Sequence, residues 1–169
     1  MKNPNEVLER FEQLIEDLEA AGAHGAIVVE GRRDEKALRD LGIDGDIRVI
    51  NRGVSLLRFC EELASEHRRV ALLVDWDEKG DELAGKLRHG LVRGSLGVDV
   101  EIRQGLRRLT WGNIKAVEEL ASFYRRVKAA AVAKGPERQD PRGWQVRKEE
   151  RIRRETTRKQ HGAPQGRRP

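Results

Sequence analysis

The chain has 169 residues, of which 37% are apolar and 37% charged, with a formal net charge of +5. That length and composition suit one domain of ordinary size with an appendage. No apolar run approaches the roughly 20 residues of a membrane span, and the N-terminus lacks a secretory apolar segment. With Cys60 as the single cysteine, an internal disulfide framework is excluded, and a soluble protein of the reducing cytoplasm is expected.

The charge is unevenly spread. Residues 134–169 hold 12 Lys or Arg against five Asp or Glu, whereas the remainder carries 22 basic and 24 acidic side chains. The attraction for a polyanion therefore lies in the tail.

Asn3-Pro4-Asn5-Glu6 has the form of a helix start: Asn as cap, Pro at the first helical position, Glu reaching back. Val7, Leu8, Phe11, Leu14, Ile15 and Leu18 follow at helical spacing, so residues 1–25 are expected to form a helix laid on a core and closed by Gly22 and Gly25. Ala26-Ile27-Val28-Val29 reads as a short buried strand ending in Glu30-Gly31. Asp34 to Leu41 predicts a short helix closed by Gly42. Ile47 to Ile50 predicts a second strand, followed by the turn Asn51-Arg52-Gly53, and Val54 to Glu66 a helix. Within that helix Cys60 shares apolar spacing with Leu56, Phe59 and Leu63, which marks a packed thiol rather than a nucleophile.

Val70 to Asp77 reads as a third strand, buried on both faces and ending in two carboxylates one residue apart. Leu83, Ala84, Leu87 and Leu91 mark the next helix. Val98 to Ile102 alternates as a fourth strand at a sheet edge. Strand and helix in strict alternation predict an α/β fold, with a four-stranded parallel sheet flanked by helices and joined by right-handed crossovers. Residues 26–102 would form this domain and residues 103–133 a helical extension broken around Trp111-Gly112. Residues 134–169, nearly devoid of apolar side chains, would form a basic disordered tail, helical over Gln145 to Gln160 when bound.

In open parallel sheets, ligands bind beyond the carboxyl ends of the strands where the strand order reverses. Glu30 on the first strand and Asp75 and Asp77 on the third stand at that end. If the two strands are neighbours, the three carboxylates converge. Paired negative charge at the end of a buried strand is self-repulsive unless a cation sits there. Carboxylates without His or Cys form the ligand set expected for Mg²⁺, with Mn²⁺ as a substitute ion. Each carboxylate has a plainer role open to it, capping the helix that follows. Gly31 and Gly80 mark places where the backbone must turn sharply or approach closely.

Val28-Val29-Glu30-Gly31 after the first strand and Asp-x-Asp-x-x-Gly over Asp75 to Gly80 after the third together resemble the Toprim domain. That Rossmann-like domain is shared by topoisomerases, bacterial primases, nucleases and a 5S ribosomal RNA maturase. The resemblance spans Ala26 to Ile102 and includes the turn glycine Gly53. The strings Glu-Gly-Arg-Arg-Asp-Glu from Glu30 and Asn-Arg-Gly-Val-Ser from Asn51 are most similar to the maturase and to small stand-alone Toprim proteins of archaea. The resemblance implies that Glu30 acts as general acid/base and also contacts metal, and that Asp75 and Asp77 hold Mg²⁺. Glu78 and Asp81 would be outlying or helix-start charges. Trp76 departs from the small or polar residue expected between the aspartates; it would pack, or else stack on a base.

A Toprim-like fold does not settle the reaction. Tyr124, the single tyrosine, lies in a helical pattern with Val117, Leu120 and Phe123, a packing position rather than a topoisomerase nucleophile. One cysteine and four scattered histidines make no zinc module. A haloacid-dehalogenase-type phosphatase, which also starts from Asp-x-Asp, is disfavoured by Lys79 two residues beyond the second Asp. The leading expectation is a Mg²⁺-dependent phosphodiesterase, a ribonuclease-like maturase acting on RNA or DNA. Arg32, Arg33 and Arg52 would hold phosphates at the sheet end. Arg147, Lys148, Arg151, Arg153 and Arg154 would form a basic stripe on the tail that binds phosphates without reading sequence. The alternative is a non-catalytic protein that binds nucleic acid or associates with ribosomal RNA or the ribosome.

Overall fold

The computed structural model describes residues 3–50 and 53–134. Helix α1 (Pro4–His24) starts as its sequence dictates: Asn3 is extended, its side chain accepts from the Asn5 N–H at 3.2 Å, and Pro4 sits in the first turn. Its buried face carries Phe11, Leu14 and Leu18. The chain continues through β1 (Ala26–Val29), α2 (Arg32–Asp40), β2 (Ile47–Val49), α3 (Leu56–Glu66), β3 (Arg69–Leu72), α4 (Glu78–Arg93), β4 (Gly97–Asp99) and α5 (Glu101–Leu109). A 3₁₀ turn (Val117–Glu119) then leads into α6 (Leu120–Lys134).

The four strands form one parallel sheet in the order β2-β1-β3-β4. The α/β architecture with a four-stranded parallel sheet flanked by helices is therefore as expected, and β4 is the expected edge. Alternate side chains of the central strands feed two apolar layers. Ile27, Val29, Ala71 and Leu73 face a core completed by α1, Leu38 of α2, Ile102 and Leu106 of α5, and Phe123 of α6. Ala26, Val28, Val70, Leu72 and Val74 face a second core, completed by Phe59, Cys60 and Leu63 of α3 and by Leu87 and Leu91 of α4. This is the doubly wound, Rossmann-like layering. Cys60 is buried beside Gly90, where a Cβ would stand 2.9 Å from the thiol sulfur, so it serves close packing of α3 on α4. Tyr124 stacks on Phe11 and donates its hydroxyl to Glu12, again a packing role. No described helix is long and apolar enough to cross a membrane.

Among the boundaries that shift, three do so for a clear local reason. The third strand was expected to run to Asp77 but ends at Leu72. Beyond the bond from the Leu73 N–H to the Val28 carbonyl, its neighbours have ended, and apolar patterning cannot register a missing partner. The fourth strand was expected to reach Ile102 but stops at Asp99, whose carboxylate accepts from the Glu101 N–H and turns the chain into α5. Ile102 is consequently a buried helical residue. Helix α2 begins at Arg32 rather than Asp34, because the Asp34 carboxylate reaches back to accept from the Gly31 N–H at 2.9 Å.

Candidate functional site

The connections reverse direction between β1 and β3: the chain leaves β1 for β2 on one side and returns to β3 on the other. A crevice beyond the carboxyl ends of those two strands follows from that topology. Glu30 directly follows β1, and Asp75 lies three residues past β3. The two meet there, with the Asp75 N–H donating to Glu30 Oε1 at 3.2 Å.

Each carboxylate is fixed by backbone. Asp75 Oδ1 accepts from the Val117 N–H at 2.7 Å, tying the end of β3 to the 3₁₀ turn. Asp77 is the N-cap of α4 and accepts from the Gly80 N–H at 2.8 Å, so the capping role open to it is occupied. Trp76 packs: it is buried and donates its indole N–H to the Ile114 carbonyl at 2.9 Å. The Trp76 N–H also meets the Lys115 carbonyl. Residues 114–117 thus close one wall over the acidic loop.

The electrostatics are those of crowded, partly dehydrated carboxylates. Burial, reinforced by Asp34, Glu30 and Asp77, pushes Asp75 up to about 6, with the Val117 N–H pulling the other way. Burial raises Glu30 as well, as do Asp34 and Asp77, while the Asp75 N–H and Arg103 oppose the rise. Asp34, 6% exposed, is raised mainly by burial against the pull of the Gly31 N–H.

Asp34 and Arg103 are members of this site that the sequence reading did not single out. Arg103, also 6% exposed, donates from Nε to the Val74 carbonyl at 2.8 Å and from its terminal nitrogen to the Asp75 carbonyl and to Asp81. It therefore satisfies the carbonyls that β3 leaves without a strand partner. Asp81, held well below the usual carboxylate range by Arg103 and then Arg107, is a structural ion pair in the first turn of α4. A capping spacing from Gly31 to Asp34 was a readable signal for the first of these residues. For Arg103 the signal was weaker, an arginine beside Ile102 and Leu106 on a helix.

The expected phosphate-binding arginines separate into groups. Arg32 pairs with Glu35 at 2.8 Å, and Arg33 lies 3.9 Å from Glu118. Both are strongly exposed at the start of α2, at the same sheet end as the carboxylates. Arg52 and the tail residues Arg147, Lys148, Arg151, Arg153 and Arg154 lie outside the described residues. Among the described residues no group of three or more His, Cys, Asp or Glu side chains is arranged as a ready metal cage. The donor chemistry nonetheless suits a hard cation that keeps most of its waters, since such an ion needs only one or two carboxylates and no closed cage.

No protein-family model matches the chain. It is similar to the UPF0292 protein of Thermococcus gammatolerans, at 44% identity over 119 residues covering 70% of this chain and 86% of that protein. The UPF0292 protein of Methanosarcina acetivorans is 37% identical over 123 residues, covering 72% and 85% respectively. Among solved structures, a protein from Aquifex aeolicus superposes with a TM-score of 0.57 at 28% identity, over 64% of this chain and 95% of that one. That superposition agrees with the α/β fold, and the curated relatives are matched over most of their length. The chain belongs to the UPF0292 family.

Proposed function

We propose that this chain is a Mg²⁺-dependent nucleic-acid-processing protein of Toprim type that hydrolyses phosphodiester bonds in RNA or DNA, as a ribonuclease-like maturase does. The observation that carries the reading is the meeting of Glu30 and Asp75 at the β1–β3 crevice, with Asp77 coupled electrostatically to both. Asp75 and Asp77 would hold the ion, and Glu30 would contact it or move a proton. Mg²⁺ there supplies Lewis-acid stabilisation of a phosphoryl oxygen. Burial keeps the proton affinity of Glu30 above that of an ordinary glutamate, the direction that favours a general acid/base role. Arg32 and Arg33, on the same rim, supply positive charge for the phosphates.

A second reading is favoured by the charge of residues 134–169. In it the protein binds nucleic acid or a ribosomal RNA surface without cleaving it.

The test is cleavage of labelled structured RNA and single-stranded DNA in Mg²⁺ or Mn²⁺. Asp75→Ala/Asp77→Ala is expected to bring cleavage to background, and Glu30→Gln to lower kcat by about 10²- to 10⁴-fold. Cleavage indifferent to the double substitution sinks the metal mechanism. Absence of cleavage in every form, with binding lost only when the chain is shortened to Ala133, establishes the second reading.

A further inference from the structure

Trp111 follows α5 and is 75% exposed, in contrast to the buried Trp76. The loop that carries it is firmly built. Thr110 is fully buried and donates its hydroxyl to the Leu106 carbonyl at 2.8 Å, and the Asn113 N–H donates to the Thr110 carbonyl at 2.8 Å. Gly112, at φ +76°, takes the left-handed conformation that brings the chain back. The indole is thus held in solvent by an ordered turn.

Its ring borders two depressions. One, of about 750 Å³, runs between the start of α1 and helices α5 and α6, with Val7 and Phe123 in its floor and Arg108 and Arg126 on its edge. The Arg126 guanidinium stands 6.0 Å from the centre of the Phe123 ring. The other, of about 390 Å³, reaches Asp77 and Glu78 and is lined as well by Lys115 and by Arg107, whose guanidinium is paired with Asp81. Trp111 is common to both, so an aromatic plate stands between an edge that carries Arg108 and Arg126 and a depression that reaches the acidic site.

We propose that Trp111 is a stacking platform for a base of single-stranded nucleic acid, with Arg108 and Arg126 toward the phosphates. The inference rests on the reading above that the ligand is nucleic acid, and it names the form of that ligand. A π-face with flanking cations is the arrangement that binds unpaired bases with little sequence preference. A duplex keeps its base faces stacked inside and offers the indole nothing along its length.

The test is binding of a short labelled single strand to the full chain, in EDTA so that no cleavage intervenes, compared with an abasic strand of equal length and with a duplex. The wild type is expected to prefer the base-bearing strand. Trp111→Ala should weaken that strand by roughly 5- to 150-fold, the range of one lost stacking contact, and leave the abasic strand and the duplex unchanged. Trp111→Phe should restore most of the loss. Unchanged affinity of Trp111→Ala overturns the platform, as does an equal loss for the abasic strand. A shift in sedimentation of Trp111→Ala with binding intact overturns it in favour of a protein contact. A stacking loss in a protein that never cleaves keeps the platform and removes the hydrolysis reading. Asp-dependent cleavage with KM indifferent to Trp111 does the reverse.

Discussion

Asp75 must ionise in a place that resists it. Burial first, then Asp34, Glu30 and Asp77, raise its pKa from 3.8 to about 6. In the unfolded chain it returns to an ordinary value of about 3.9. Between the two values the native state binds more protons than the unfolded state, so stability falls as pH rises through that window and stays lowered above it. A shift of that size corresponds to about 3 kcal/mol, which solvent screening of a half-buried group reduces to about 1–2 kcal/mol. Asp75→Asn keeps an acceptor for the Val117 N–H while removing the charge. In metal-free protein it is therefore expected to gain about 1–2 kcal/mol over wild type near pH 7.5, the gain vanishing near pH 4. Urea unfolding at both pH values checks this, and equal stabilities near pH 7.5 would show that the carboxylate carries no such burden. Glu30 and Asp34 are shifted in the same direction. Glu30 and Asp75 were legible in the sequence because carboxylates interrupt apolar runs there. The Val117 N–H was not, being a backbone group 42 residues away that no side-chain pattern can announce.

Gly31 and Gly80 looked equivalent as glycines placed after acidic residues, yet the way α4 docks on the end of β3 separates them. A Cβ on Gly80 would stand 1.9 Å from the Asp75 carbonyl oxygen, a collision with backbone that no rotamer relieves. A Cβ on Gly31 would meet nothing nearer than Asp34 Oδ2 at 3.9 Å, in an extended conformation open to any residue. Gly80→Ala is expected to cost about 3 kcal/mol by pushing the first turn of α4 away from the acidic loop, and Gly31→Ala less than about 0.5 kcal/mol. Thermal unfolding of the two variants checks the order, and equal melting temperatures would contradict the close approach. The same docking explains why strand ends were read poorly where strand centres were read well. Burial of Val70, Ala71 and Leu72 is written in their side chains, whereas the end of β3 is set by where β1 stops and by Arg103 taking the Val74 and Asp75 carbonyls.

Taken as one chain, the protein separates its stabilising residues from much of its positive charge. Both cores and the whole sheet lie among the described residues, and Met1–Ala133 forms a compact unit of its own. This order was legible because strand and helix periods alternate, and two-sided burial of a parallel sheet leaves continuous apolar runs. Composition speaks for residues 134–169, where 12 basic and five acidic side chains reverse the slight negative balance of the rest. A chain ending at Ala133 is therefore expected to unfold within about 0.5 kcal/mol of the full chain, since none of the described core residues is removed. Its affinity for a generic duplex should fall sharply. If Arg147, Lys148, Arg151, Arg153 and Arg154 each meet a phosphate, the slope of log K against log salt should flatten by about 4 to 5, at roughly 0.9 per contact. Binding measured between 50 and 200 mM salt checks this; an unchanged slope would move the phosphate contacts onto the folded unit. The base-dependent preference ascribed to Trp111 should survive the truncation, because stacking on a fixed indole needs none of the tail's charge.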